Sequence, residues 1–389
     1  MLQAIIRRIC TIAILGCLSP ALAQAEAPIK IGLAISETGP SSPPSLFELR
    51  GYELAIQEIN QAGGILHRPL ELVKYDDQGN PSTAAQLYQK LLTSDRVDLM
   101  LSPYSADLTA AVAPIVNRAG RVMLTVTSAS DSYDGRYSYI VQGITPAARI
   151  MLPLLDLAKS KGYKTLSILS LNNRLGAEAS KALTAEAEAA GMKVLFHETY
   201  SPITTDFSAL ALKAGEPKPD MILGTTYLAD SQGILRALKA QNVTAKMIGF
   251  SIGPIEPEFY KGLGGVAEDI FVPTSYFPTL KTNGNEEFVK NFRAKYDLDP
   301  TYHAAVAYAA VKTYAAAIER VGKIDQDAIN KALHDIELDT VVGHFKVNAN
   351  GAQIGYSAYL LQWQKGKQVL VWPAAEADAD PILPHPGWQ

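Results

Sequence analysis

Apolar positions in this chain fall into short, nearly unbroken runs that alternate with longer stretches of helical spacing. "IKIGLAI" (Ile29–Ile35) is such a run, as expected for a strand covered on both faces. After the loop "SETGPSSPPS", "FELRGYELAIQEINQAGG" places apolar residues at helical spacing and ends on two glycines. "LELVKYDD" is the next strand. Asn80-Pro81 then supplies an N-cap and a proline at the first helical position of the following helix. "VDLMLS" with its helix, "RVMLTVTS" and "YSYIVQG" complete a first set. A second set, "TLSILSL", "KVLFHETY", "DMILGTTY", "KMIGFS" and "DIFVPTSY", is interleaved with helices such as "AEASKALTAEAEAAG" and "ADSQGILRALKAQ". Alternating strand and helix predicts parallel sheets with right-handed crossovers, here two doubly wound α/β units in tandem.

The C-terminal third departs from this alternation. Three helices, "NEEFVKNFRAKYD", "TYHAAVAYAAVKTYAAAIERVG" and "QDAINKALHDI", precede the strands "GHFKVNANG" and "AYLLQWQKGKQVLVWP". The last of these reads as a hairpin turning at Lys365-Gly366-Lys367. Beyond Pro373 the chain becomes acidic and proline-rich, and residues 374–389 are expected to form a flexible tail.

The 389 residues suit two domains with a core each, and no basic run marks a nucleic-acid surface. Arg7-Arg8, the apolar "ICTIAILGCL" and the small residues Ala21 and Ala23 read as a secretory signal over residues 1–23. Cutting after Ala23 removes Arg7 and Arg8 and no acid, taking the formal charge from −4 to −6. It also removes Cys10 and Cys17, the only cysteines, so the exported chain must rely on its core rather than on disulfides. "ILGC", ending at Cys17, partly matches a bacterial lipid-attachment signal, which leaves a lipid anchor there as the alternative.

Catalytic and cofactor signatures are missing from the residue pattern. The histidines at 67, 197, 303, 334, 344 and 385 have no metal-ligand spacing, and there is neither a G-x-S-x-G elbow nor a Walker A loop. "GLGGVA" (262–267) fits G-x-G-x-x-A but follows a helical segment and precedes a strand, the reverse of a dinucleotide loop. Asp76-Asp77 are too few ligands for a metal and read as a strand exit with Asx turns. The expectation is therefore no enzyme, no catalytic residue, no metal and no cofactor. What remains is a recurrence of hydroxyls and aromatics after strands: Ser36 to Thr38, Tyr104-Ser105, Thr127-Ser128, Asn172-Asn173, Thr225 to Tyr227, and Ser251. Each alone fits a helix cap. Together they point to a cleft beyond the strand ends of two lobes.

"IKIGLAISETGP", "RGYELAIQEINQAGGILHRPLELVKYDDQGNPSTAAQLYQKLL", "SPYSADLTAAVAPI" and "YHAAVAYAAVKTYAAAIERVG" together resemble the periplasmic solute-binding proteins of ABC importers, specifically the branched-chain amino acid (leucine/isoleucine/valine-binding) family. The resemblance covers nearly all of residues 28–373. It implies two α/β lobes joined by a three-segment hinge: residues 28–143 plus 275–351 in lobe 1, and 144–274 plus 352–373 in lobe 2. It also implies a monomer that closes on one small molecule and docks on a membrane permease. In such proteins the loop after the third strand gives hydroxyls and N–H groups to the ligand's carboxylate; Ser105, preceded by Tyr104, holds that place here. Ser128 and the N–H of Ala129 hold the equivalent places in the next loop. Leu175, Tyr227 and Ser251 would close from the second lobe, with Thr38 and Pro44 in the first loop.

The departures from the resemblance bear on the ligand. Amino-acid binders of this kind hold the ammonium with an acid after the strand matching "KMIGFS". Here Ser251 stands nearest, and no acid follows until Glu256. The loop "NNRLG" puts Leu175 where those binders carry an aromatic. A buried ammonium without a carboxylate is costly by several kcal/mol, roughly. The expectation is thus an aromatic or keto acid, with Arg149 as either a positive contact or a surface residue. A branched-chain or other amino acid is the alternative, with Asp230 as its acid, and a ligand sensor on the same fold is another.

Overall fold

The computed structural model describes residues 27–126 and 135–388. The expected secretory signal, Cys17, Ser128 and Ala129 lie outside the described residues.

Lobe 1 is built on β1 (Ile29–Ile35), α1 (Ser42–Gln61), β2 (Leu70–Asp76), α2 (Pro81–Thr93), β3 (Leu99–Leu101), α3 (Ala106–Arg118), β4 (Met123–Thr125) and β5 (Ile140–Gln142). Its five strands are all parallel, in the order β2-β1-β3-β4-β5. β1 is buried along its length apart from Lys30, as its apolar run requires. Asn80 caps α2 through its side chain, which accepts the Ser82 and Thr83 N–H groups, and Pro81 follows at the first position.

Lobe 2 follows with α4 (Ala147–Ile150), α5 (Leu152–Ser160), β6 (Thr165–Leu171), α6 (Arg174–Ala189), β7 (Lys193–Tyr200), α7 (Ser208–Gly215), β8 (Met221–Thr225), α8 (Leu228–Ala240), β9 (Met247–Phe250), α9 (Pro257–Leu263) and β10 (Phe271–Thr274). The chain then returns to lobe 1 as α10 (Asn285–Tyr296), α11 (Tyr302–Val321) and α12 (Gln326–Asp335), and forms the small pair β11 (Leu338–Thr340) and β12 (Gly343–Phe345). It ends in lobe 2 as the hairpin β13 (Tyr359–Gln364) and β14 (Lys367–Trp372). The second sheet runs β14-β13-β10-β9-β8-β6-β7, with only the β10–β13 and β13–β14 pairs antiparallel. The hairpin turns at Lys365 and Gly366, both at positive φ.

α11 is buried on nearly every face because its alanines let it lie against α1. Gly51 of α1 marks the approach: a Cβ there would stand 2.1 Å from the Ala304 carbonyl oxygen. That packing fixes the N-terminus of α11, with Tyr302 and His303, at the boundary between the lobes.

Three features differ from the sequence-based expectation. α1 begins at Ser42, so Pro43 and Pro44 lie in its first turn rather than forming a loop wall; their missing N–H groups cost nothing there. "GHFKVNANG" is strand only over Gly343–Phe345, with one further bridge, Val347 to Gln353. Residues 374–388 are not a loose tail but run along lobe 2. The His385 N–H donates to the Lys246 carbonyl (2.8 Å) and Trp388 Nε1 to the Val243 carbonyl (2.7 Å). The side chain of Gln362 holds both the N–H and the carbonyl of Ile382. An indole and paired backbone groups tie down a segment whose composition alone reads as unstructured.

Candidate ligand-binding site

The segment after β3 is shaped by buried polar contacts. Ser102 Oγ accepts the Val126 N–H at 3.1 Å, tying the end of β3 to the end of β4. The backbone of Ser105 is extended and its carbonyl accepts the Thr109 N–H, so it starts α3. Its side chain makes no capping bond. The Ser105 hydroxyl is therefore not consumed by its own helix, and it stands with the helix's unpaired N–H groups.

A cavity opens at this point between the lobes, with an empty volume of ≈ 630 Å³, its open side included. Lobe 1 contributes Tyr104, Ser105, Ala106 and Tyr302 to its lining; lobe 2 contributes Ala147, Ile150, Leu175, Tyr227, Ile252 and Ile255; the crossings contribute Ile144, Thr145, Pro273 and Thr274. Tyr104 to Ala106, Leu175, Tyr227, and Ile252 with Ile255 follow β3, β6, β8 and β9, so the cavity lies beyond strand C-terminal ends, where open α/β sheets take ligands. Among the described residues, the lining holds no charged side chain.

Burial pushes the Tyr104 hydroxyl well above the usual phenol range, reinforced by Tyr302, Tyr227, Glu256 and Glu48. Burial does the same to Tyr302, helped by Glu256, and to Tyr227, helped by Asp107 and Asp230. All three stay protonated and able to donate a hydrogen bond to an anion. At the edge of the cleft Arg174 Nε lies 3.7 Å from Asp107 Oδ1, joining the first turns of α6 and α3 across the lobes.

Of the residues singled out in the sequence, Tyr104, Ser105, Leu175 and Tyr227 line this cavity. Ser251 does not: its Oγ accepts the Thr226 N–H (2.8 Å) and donates to the Thr226 carbonyl (3.0 Å), locking two loops together. Thr38 is exposed and donates to Asp76 Oδ2 (2.6 Å). Pro44 is in the first turn of α1 and not in the lining. Arg149 is exposed and reaches the Ile354 carbonyl (3.3 Å), outside the cavity. Asp230 is spent on α8: its Oδ1 accepts the Tyr227 N–H and its Oδ2 the Tyr200 hydroxyl. Asp76 and Asp77 accept turn N–H groups and the Ser36 hydroxyl.

Tyr302 lines the cavity without standing in a strand-end motif. An aromatic opening an alanine-rich helix directly after Pro300-Thr301 was its only signal. The crossing residues Ile144, Thr145, Pro273 and Thr274 carried none, because only the return of the chain brings them together.

Two doubly wound lobes, joined by three crossings and enclosing a cavity at their strand ends, define a two-lobed solute-binding protein. The chain belongs to the periplasmic binding protein family, whose profile matches residues 28–368. A Leu/Ile/Val-binding protein homologue of Brucella suis is 25% identical over 383 residues, covering 93% of this chain and 96% of the relative. The branched-chain amino acid transporter substrate-binding protein LivJ of Streptococcus pneumoniae, solved with isoleucine, superposes with a TM-score of 0.79 at 23% identity, covering 88% of this chain and 97% of that one. A solute-binding protein of R. palustris solved with benzoate superposes with a TM-score of 0.78 at 21% identity, covering 92% and 99%. Similar folds thus hold an amino acid in one case and an aromatic acid in another.

Proposed function

We propose that this chain is exported to the periplasm, captures a small organic carboxylate between its lobes and delivers it to an inner-membrane ABC permease. The favoured ligand is an aromatic or keto acid rather than an amino acid. The observation that carries this reading is the cavity lining, which contains three tyrosines, Ser105 and the start of α3 among aliphatic residues, and no acidic residue. A carboxylate suits neutral donors and the dipole of α3. An ammonium would meet no carboxylate among the lining residues, and Asp230 is committed to its helix cap.

In this reading Tyr104 and Ser105 anchor the carboxylate, with Ser128 and Ala129 as the adjoining donors. Tyr227, Leu175 and Tyr302 enclose the rest as lobe closure draws both halves onto the ligand. The closed surface is what a permease would read. A sensor role would use the same closure and a different partner.

Thermal unfolding of the refolded, ligand-stripped protein tests this against the amino acids, short keto acids, dicarboxylates, benzoates and cinnamates. A ligand at ~100 times its dissociation constant adds about 2.7 kcal/mol. A shift with aromatic or keto acids and none with amino acids is the expected result. A shift with leucine instead would overturn the ligand class and direct attention to Glu256, next in sequence to the lining residue Ile255.

A further inference from the structure

Glu256 and His303 belong to opposite lobes and meet inside the wall of the cleft. Glu256 follows β9 and opens α9 in lobe 2; His303 is the second residue of α11 in lobe 1. Glu256 Oε1 and His303 Nδ1 are 4.0 Å apart, with residue exposures of 3% and 0%. Neither Glu256 oxygen nor His303 Nε2 has a hydrogen-bond partner. The imidazole is held in place by Tyr302, with ring centroids 3.8 Å apart, and by the Tyr104 ring set edgewise at 5.4 Å.

The wall containing this pair has a cavity on each side. Ile255 and Tyr302 line both the ligand cavity and a wider groove of ≈ 1550 Å³ empty volume, and Pro257 and Thr301 also line that groove. The sequence neighbours of both groups thus border open space. Parting the lobes separates Glu256 from His303 and gives water access to each.

A buried carboxyl with no hydrogen-bond partner, and a buried imidazole whose Nδ1 meets only the Thr301 hydroxyl at 3.5 Å, are costly if charged. Resting on the reading of the cleft as a closing ligand site, we propose that Glu256 and His303 are a proton-exchanging interlobe contact: imidazolium and carboxylate when the lobes part, neutral imidazole and carboxylic acid when they close. One proton leaves the imidazolium and one is taken up by the carboxylate, so closure buries both groups without net charge or net proton uptake.

Burial supports both directions. It lifts the Glu256 carboxyl to about 7, with Glu258 adding to the rise, and depresses the His303 imidazole to about 3. The other titratable groups beside the pair are the Tyr104 and Tyr302 hydroxyls, on which both Glu256 and the Glu48 carboxyl act. Burial raises both phenols above their ordinary range, so neither changes charge near neutrality, and it also raises the Glu48 carboxyl. Closure then takes up a proton at Glu256 between roughly pH 4.5 and 7 and releases one from His303 between roughly pH 3 and 6.5. The two offset one another across the overlap, so the wild-type closed-to-open ratio is nearly flat there. Removing either partner exposes the slope of the other.

The test is the closed-to-open ratio from distances between nitroxide labels at Q86C on α2 and K181C on α6, both exposed positions, in a C10S/C17S background. It is read from pH 4 to 8, without ligand and with benzoate. The wild type should change less than threefold between pH 5 and 6.5. In H303Q the ratio should fall with rising pH over that range, and in E256Q it should rise, each by up to tenfold per unit. H303Q plus E256Q together should be flat again. Parallel trends in the two single variants, or flat profiles in both, would overturn the proposal. Because the labels report closure without ligand, a failed ligand panel leaves this outcome readable. Thermal unfolding of each variant separates a misfolded protein from an altered closure.

Discussion

Asp230 Oδ1 accepts the backbone N–H of Tyr227 at 2.8 Å, so an acid beside the cleft is consumed in starting α8. Its other oxygen takes the Tyr200 hydroxyl at 2.5 Å. The side chain that aligns Tyr227 with the cavity is thus itself turned into the lobe. Asp230→Asn should lower stability to urea by about 1 kcal/mol, the usual scale for a lost cap, and should leave the preference among panel ligands unchanged. A switch in ligand class would show that Asp230 reaches the ligand after all.

Tyr104 and Tyr302 present hydroxyls that burial keeps protonated. A hydrogen bond to a charged group contributes about 1.5–3 kcal/mol, so Tyr104→Phe should weaken a carboxylate ligand by about tenfold or more. Its ligand-free melting temperature should barely move. Calorimetric titration with the best panel ligand measures the first, a melt without ligand the second. Unchanged affinity would remove Tyr104 from the anchor.

Gly51 has a backbone carbonyl, not a flexible side chain, where its Cβ would go. Gly51→Ala must push α11 away from α1, and overpacking of this kind costs roughly 1–3 kcal/mol. Since α11 carries Tyr302 and His303, ligand affinity should fall together with stability. Urea unfolding and titration of the same preparation would show whether the two are linked.

Asp107 and Arg174 bridge the lobes at 3.7 Å but are about half exposed, at 51% and 41% of their side-chain surface. Solvent and salt screen such a pair. Asp107→Asn should change stability by less than about 0.5 kcal/mol. It also removes a negative charge from the first turn of α3, where a ligand carboxylate is expected to sit. Affinity for an acid should therefore rise, and more at low than at high ionic strength; a fall would place the ion pair among the closure contacts.

The sequence by itself determined the elements and their class. "IKIGLAI" reads as a covered strand, Asn80-Pro81 as a helix start, and the repetition of such pairs as a parallel sheet, because these are local matters of periodicity, capping and turn chemistry. Tyr104, Ser105, Leu175 and Tyr227 were legible for the same reason: each follows a strand, and strand ends are where α/β sheets bind. The sequence did not determine where a hydroxyl or carboxyl points. Ser251 and Asp230 stand in the right loops, yet each turns into its own lobe to satisfy backbone groups that would otherwise be buried unpaired. Nor did it show Tyr302 in the cavity, or Glu256 facing His303 across 47 positions of chain. Those contacts exist because α11 crosses back to pack against α1 through Gly51 and Ala304, and contact between distant segments is decided by packing rather than by local pattern.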